Sequence, residues 1–134
     1  MKPPSIKRIA LTTVVIAALW GCAPEDLPYS LGDLPAGDAG RGAALFTQSI
    51  NGSPACSACH STDGSSSSGP PLDGYGQAAG TRVKGQSAAL YSFYSILRPA
   101  KHLVRGYSNV MYSQYADKLS QQDVADLIAY MLGL

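Results

Sequence analysis

The chain has 134 residues, which is enough for one domain. Its composition is 46% hydrophobic and 14% charged, and its formal net charge is +1. So small a charge, with no run of like charges, argues against nucleic acid as a partner. Composition alone therefore excludes a strongly basic binding protein and leaves the function to local motifs.

The amino terminus has the form of an export signal. Three basic residues among the first eight precede an uncharged stretch, residues 9–20, which is shorter than the ~20 residues that a membrane-spanning helix needs. The stretch ends in Leu19-Trp20-Gly21-Cys22, which resembles the lipobox of bacterial lipoproteins. This resemblance implies a signal peptide over residues 1–21 and a lipid on Cys22. An uncleaved signal anchor is the alternative, and either one predicts an exported domain tethered to a bacterial membrane, facing the periplasm or the outer surface.

The remaining chain divides into a tether and one domain. Residues 23–37 contain three prolines and two glycines without apolar periodicity, so the lipidated Cys22 and this stretch are interpreted as a flexible tether, residues 22–37. The folded domain is predicted to span residues 38–134. The serine-rich stretch from residue 64 to residue 74 is interpreted as a surface loop within it.

Three helices are indicated in chain order. Asp38 can cap a first helix through Gln48, in which the glycines at positions 40 and 42 suggest close approach of another group. A second helix is predicted over residues 87–98, capped by Ser87 and ended by Pro99. A third begins after Ser120. The expected apolar stripes are Leu90, Phe93, Tyr94 and Leu97 on the second helix, and Val124, Leu127, Ile128 and Met131 on the third.

These elements predict an all-α fold with long irregular connections. No segment shows a convincing period of two, so strands are not expected. A domain of this size with such loops is hard to stabilise by core burial alone. We therefore expect a cofactor at its centre.

The stretch Cys56-Ser57-Ala58-Cys59-His60 identifies that cofactor as haem. Two cysteines separated by two residues and followed by histidine form the attachment motif of c-type haem. The thiols can add to the two vinyl groups on one haem edge, and the histidine can bind the iron through Nε2. Because the chain has only 3 cysteines and 2 histidines, this spacing is improbable by chance.

Three alternatives for these residues are weaker. A structural zinc site would recruit the distant His102, but no second paired motif is present. A thioredoxin-like pair expects a strand–helix unit beside the motif. A disulfide between Cys56 and Cys59 leaves His60 unexplained. Haem is favoured over all three.

With these motifs in place, residues 38–134 resemble class I cytochromes c. Gly42 and Phe46 match the Gly-x-x-x-aromatic pattern of that family's first helix, and Tyr130 matches the aromatic residue that packs near this glycine. The resemblance implies three to five helices wrapped around one covalently bound haem c. It implies thioether bonds at Cys56 and Cys59.

The resemblance also implies the surroundings of the iron. His60 is the expected proximal ligand, and the family's Gly-Pro-x-Leu segment is matched by Gly69-Pro70-Pro71-Leu72. The carbonyl of Pro70, with Pro71 as the alternative, is expected to accept the Nδ1–H of His60 and so to orient the imidazole.

The second axial ligand is predicted to be Met111. It follows the turn-forming stretch from residue 106 to residue 110, and the family places its methionine ligand in this loop before the last helix. The surrounding sequence is similar to that of lipid-anchored and oxidase-associated members. Met131 lies on an apolar stripe and is expected in the core, and His102 is the rival ligand.

Positive charge gathers in one part of the domain. The residues concerned are Arg82, Lys84, Arg98, Lys101, His102 and Arg105. Such a cluster is either a solvated surface or a group that neutralises haem propionates or steers an acidic partner. Tyr75, Arg105 and Tyr107 are the predicted propionate contacts.

The resulting functional hypothesis is a membrane-tethered, single-haem carrier of electrons and not an enzyme. Its expected partners are membrane redox complexes: a quinol-oxidising complex, a terminal oxidase or a photosynthetic reaction centre. The alternative is a haem-based gas sensor or small peroxidase with a labile sixth ligand, since Tyr112 replaces the proline that commonly follows the methionine.

Overall fold

The computed structural model describes residues 27–134, and the predicted signal peptide and Cys22 lie outside the described residues. Within residues 27–134 the chain forms five α-helices and no strand. The helices are α1 (Ala39–Phe46), α2 (Tyr75–Arg82), α3 (Ala88–Leu97), α4 (Tyr115–Lys118) and α5 (Gln121–Met131). Short 3-10 turns cover Leu31–Asp33, Cys56–Ala58 and Pro99–Lys101. The all-α prediction is confirmed.

Side-chain caps define where the three helices predicted from the sequence begin. Asp38 accepts a hydrogen bond from the backbone N–H of Arg41, and Ser87 accepts one from that of Leu90. Ser120 accepts from the N–H of Asp123, whose carboxylate in turn accepts from the N–H of Ser120. Each bond satisfies an amide that the helix itself leaves unpaired. All three caps were expected from the sequence.

Helices α1 and α5 make the most extensive helix–helix contact of the described chain. Gly42 permits it, because a Cβ atom there would overlap the backbone carbonyl of Asp126 and lie 2.7 Å from Cβ of Tyr130. The rings of Phe46 and Tyr130 pack at 5.4 Å between centroids. The expected close approach at Gly42 is therefore an approach of backbone to backbone.

A buried carboxylate joins the same two helices. Asp126, which is 2% exposed, accepts hydrogen bonds from the backbone N–H of Asp38 (2.7 Å), from Nε and Nη2 of Arg41 (2.7 and 2.9 Å) and from Nε2 of Gln122 (2.9 Å). The hydrogen bond from Arg41 is the main reason that the pKa of Asp126 is lowered from 3.8 to about 2. This clamp was not expected from the sequence.

The buried surface of helix α3 differs from the apolar stripe that the sequence predicts. Phe93 and Leu97 are buried as expected, but Leu90 and Tyr94 are only half-buried, whereas Tyr91 and Ile96 are buried. The helix has partners on two sides, so its buried surface is wider than one stripe.

Two further expectations differ from the structure. No helix was predicted where α2 lies. The reason is that its glycines and polar residues give this segment low helix propensity and little apolar periodicity.

The described part of the predicted tether, residues 27–37, packs on the domain. We call these residues the strap. Four of its apolar side chains pack against the core: Leu27, Tyr29, Leu31 and Leu34.

None of the helices in the described part of the chain is both long enough and apolar enough to cross a membrane.

Candidate functional site

A cavity of about 340 Å³ lies between the helices and two loops, residues 54–72 and residues 99–112. Its volume falls within the range of roughly 300–1,000 Å³ that small-molecule sites occupy. The wall is mostly apolar. Its apolar side chains include Phe46, Leu72, Tyr75, Tyr91, Ile96, Leu103, Val104, Val110, Tyr115 and Met131.

The predicted attachment motif forms one tight turn in the wall of this cavity. The backbone N–H groups of Cys59 and His60 both donate to the carbonyl of Cys56, at 3.1 and 3.0 Å. This turn points Cys56, Cys59 and His60 at the cavity and leaves Ser57 and Ala58 exposed to solvent. Two thiols and an imidazole thus face one apolar space.

The imidazole of His60 is held in one orientation. Its Nδ1 lies 2.8 Å from the carbonyl oxygen of Pro70, the contact expected from the sequence. A carbonyl can only accept, so Nδ1 carries the hydrogen and Nε2 is left with a free lone pair. An imidazole in this tautomer is suited to bind a metal through Nε2.

Gly69 makes this approach of the Pro70 segment feasible. A Cβ atom at Gly69 would lie 2.6 Å from Cε1 and 2.8 Å from Nδ1 of His60, which is closer than real Cβ contacts. The N–H of Gly69 donates to the carbonyl of Cys59 at 2.8 Å, and that of Leu72 donates to the carbonyl of Ser61 at 2.8 Å. Backbone hydrogen bonds therefore hold this segment against the motif.

Tyr115 fixes the chain immediately before the motif. Its side chain is buried in the cavity wall, and its hydroxyl donates to the carbonyl of Pro54 at 2.9 Å. Burial raises the pKa of Tyr115, and it raises the pKa of the Cys56 thiol to about 11. This contact was not predicted, because the only signal for it is the position of Tyr115 in a stretch that resembles the family.

All three candidates for a second iron ligand line the cavity. Met111 is half-buried in the loop before α4, whereas Met131 is buried on α5 at 7% exposure, in agreement with its expected place in the core. His102 is exposed, and its ring stands edge-on to Tyr91 with 5.6 Å between centroids. Met111 is the one methionine among these that belongs to a loop.

The three predicted propionate contacts differ in their position relative to the cavity. Tyr107 lines the cavity and is half-buried. Tyr75 lines it with its ring, but its hydroxyl is already hydrogen-bonded to Ser92 at 2.9 Å, and burial raises its pKa to about 12. Arg105 is exposed and does not line the cavity, so the structure gives no contact for it there.

The basic cluster does not form one uniform surface. Lys101 lies with its Nζ 3.2 Å from the centroid of the Tyr94 ring, a cation–π contact. This contact and the half-buried Arg98 show that part of the cluster has local partners.

The arrangement does not support the zinc alternative. Within residues 27–134 no group of three or more histidine, cysteine, aspartate or glutamate side chains is placed to hold a metal ion. Cys56 and Cys59 are free thiols, so the disulfide alternative is not formed either. The chemistry of the donor set fits haem: two thiols and an oriented imidazole line one apolar cavity, together with Gly69 and several aromatic rings.

An all-helical domain that presents a CxxCH turn to an apolar cavity defines a haem-binding protein of the c type. A family model for cytochrome c matches residues 39–134. The chain therefore belongs to the cytochrome c family, with the class I fold and one covalently bound haem c. Membership in this family indicates haem-based electron transfer. No curated protein and no solved structure matches the chain significantly.

Proposed function

We propose that this protein is a lipid-anchored carrier of single electrons between membrane redox complexes. The observation that carries the proposal is the convergence of Cys56, Cys59, His60 and Met111 on one cavity. Haem c supplies a reversible one-electron couple when bound. Family membership favours this function over the gas-sensor or peroxidase alternative.

Residues of this chain would position haem c and shield it from water. Cys56 and Cys59 would hold it by thioether bonds, and His60, whose tautomer is set by the carbonyl of Pro70, would offer Nε2 to the iron. The apolar wall excludes water, which lowers the polarity around the site and favours the less charged redox state.

Met111 is proposed as the second axial ligand. A thioether in that position raises the reduction potential relative to a second imidazole, which would suit a donor to a terminal oxidase or a photosynthetic reaction centre. The position of Met111 in a loop, half-buried and facing the cavity, supports this assignment.

Replacement of Met111 tests the ligand. We expect Met111→Ala to abolish the weak charge-transfer absorption of methionine-ligated ferric haem and to let the reduced protein bind carbon monoxide. Met131→Leu is the matched control, because Met131 lines the same cavity from α5. If wild-type protein lacks the band and binds carbon monoxide readily, the electron-carrier proposal is wrong.

The tether and the partners are part of the same proposal. Lipidation of Cys22 would confine the domain to the membrane surface, on the periplasmic or outer side, and raise its effective concentration near a quinol-oxidising complex or an oxidase. Mass spectrometry of the membrane-bound protein should find acyl chains on Cys22. Cys22→Ser should release the holoprotein from the membrane, and unchanged membrane binding would contradict the anchor.

A further inference from the structure

The strap covers one side of the domain. The ring of Tyr29 stands edge-on to Phe93 of α3, with 5.9 Å between centroids. Nε2 of Gln122 on α5 donates to the carbonyl of Ala36 at 2.9 Å. A Cβ atom at Gly37 would overlap the carbonyl of Ala125 on α5, so the strap backbone lies directly on that helix.

Helix α3 separates the strap from the cavity. Phe93 contacts the strap, whereas Tyr91 and Ser95 line the cavity. Two residues along an α-helix correspond to a rotation of about 200°, so Tyr91 and Ser95 lie on nearly the opposite side of the helix from Phe93. Ile96, the third α3 residue that lines the cavity, lies about 60° around the helix from Phe93.

Helix α5 separates them in the same way. A Cβ atom at Gly37 of the strap would lie 2.9 Å from Cβ of Ala129, whereas Met131 lines the cavity. These two α5 residues are also two positions apart and so point in nearly opposite directions. Most cavity-lining residues of α3 and the one of α5 therefore face away from the strap, and no residue of the strap lines the cavity.

Most of the exposed residues that line the cavity lie in the loop of residues 99–112. Leu103 and Val110 line the cavity and are 48% and 67% exposed. Ser108 and Asn109 line it as well and are exposed. Because α3 and α5 stand between the strap and the cavity, we place the cavity mouth that these residues line on the side away from the strap.

The sequence leaves little freedom between the strap and the proposed anchor. Cys22 and Leu27 are five positions apart. Even a fully extended chain of this length reaches only about 18 Å, which is less than the ~30 Å diameter of a domain of this size. A lipid on Cys22 must therefore lie near the side of the domain where the strap begins.

We propose that the strap orients the domain on the membrane, with the strap side toward the lipid headgroups and the cavity mouth toward water. The proposal rests on the proposed anchor at Cys22. It assigns the interaction surface around the mouth to a partner that reaches it from the aqueous side, such as the extramembrane domain of a redox complex.

Fluorescence quenching on vesicles tests the orientation. The lipidated holoprotein carries one added thiol for a fluorophore, either Ala36→Cys on the strap or Ser108→Cys at the mouth. For each labelled variant, fluorescence is measured on phosphatidylcholine vesicles with and without a quencher attached to the headgroups. Quenching by the haem is the same in both samples and therefore cancels in the ratio. We expect quenching at least about twofold stronger at position 36, given a height difference close to the domain's diameter.

A longer spacer provides the matched control. Insertion of about 20 Gly and Ser residues after Glu25 gives a reach of about 25 Å, which should make quenching at the two positions similar. The same insertion in the exposed loop at Ser66 should leave the difference unchanged.

Failures of the anchor and of the orientation are distinguishable. If the wild-type holoprotein does not bind vesicles, or if Cys22→Ser binds equally well, the anchor is wrong and the orientation falls with it. If binding needs Cys22 but positions 36 and 108 are quenched equally, or 108 more strongly, the orientation alone is overturned.

Discussion

Two tyrosine hydroxyls in this domain differ in one respect that single substitutions can measure. Within residues 27–134, the buried hydroxyl of Tyr29 has no hydrogen-bond partner, whereas that of Tyr115 donates to the carbonyl of Pro54. A buried polar group without a partner costs about 1–3 kcal/mol, and a satisfied one contributes about 1 kcal/mol.

We therefore expect opposite effects from the same chemical change. Tyr29→Phe should raise the free energy of unfolding by about 1 kcal/mol, and Tyr115→Phe should lower it by about 1 kcal/mol. Denaturant titration of both holoproteins measures the difference. Destabilisation by Tyr29→Phe would show that the hydroxyl has a partner after all.

Gly69 controls the orientation of the proximal imidazole. Gly69→Ala places a methyl group within 2.6–2.8 Å of the His60 ring, so we expect the ring to tilt and its bond to Pro70 to lengthen. The absorption and magnetic resonance spectra of the ferric protein should then show a high-spin fraction.

A glycine on α2 provides the control for this change. A Cβ atom at Gly80 would meet nothing closer than 3.8 Å, and alanine favours a helix by about 1 kcal/mol over glycine. Gly80→Ala should therefore leave the spectra unchanged and stabilise the domain slightly. A low-spin spectrum for Gly69→Ala would show that the segment can yield.

At the scale of helices, the Asp126 clamp gives the α1–α5 contact a pH dependence. The pKa of Asp126 is lowered from 3.8 to about 2 in the folded protein. A carboxylate with a lowered pKa contributes stability that is fully present above the unfolded pKa and is lost as pH falls through the folded one.

The effect of Asp126→Asn should follow that window. We expect a loss of about 2–3 kcal/mol in the free energy of unfolding near neutral pH, since asparagine has one uncharged acceptor oxygen in place of the two carboxylate oxygens that accept from Arg41. The loss should shrink as pH falls from about 4 to about 2. Asp117→Asn, an exposed change on α4, is the control. A pH-independent difference would contradict the clamp.

Much of this helix-level organisation follows from the sequence, and the exceptions have physical causes. Asp38, Ser87 and Ser120 are visible as caps because capping depends on residue type and local spacing. Asp126 is not visible as a clamp because its partner Arg41 is distant in sequence. Helix α2 is missed because tertiary packing overrides the weak propensity of its glycines.

The site was predictable to a similar degree. The CxxCH spacing and the prolines after it encode the attachment turn and the acceptor for His60 locally. Sequence could not show that the hydroxyl of Tyr75 is hydrogen-bonded to Ser92, or that Arg105 does not line the cavity. Those outcomes depend on how α2, α3 and the loop of residues 99–112 pack together.

At the scale of the whole molecule, the strap is the main departure from expectation. Its prolines and glycines match a flexible linker in composition, but its four apolar side chains pack on the core. A soluble holoprotein that begins at residue 38 should therefore be about 3 kcal/mol less stable than one that begins at residue 27, because those side chains lose their buried area.

Thermal and denaturant unfolding of the two proteins measures this contribution. Leu34→Ala in the longer protein should reproduce part of the loss, whereas Pro35→Ala, an exposed neighbour, should not. Equal stability of the two lengths would show that the strap contributes no net free energy.

The contact between α1 and α5 joins the first and last helices of a domain whose haem-attachment turn lies in between. A single break in the exposed loop of residues 62–68 would separate the chain into two pieces, one with α1 and the CxxCH turn and one with α2 to α5. Gly42, the Phe46–Tyr130 ring pair and the Asp126 clamp would still bind the pieces to each other. The domain is therefore suited to reassembly from fragments, with the covalently attached cofactor carried by the smaller one.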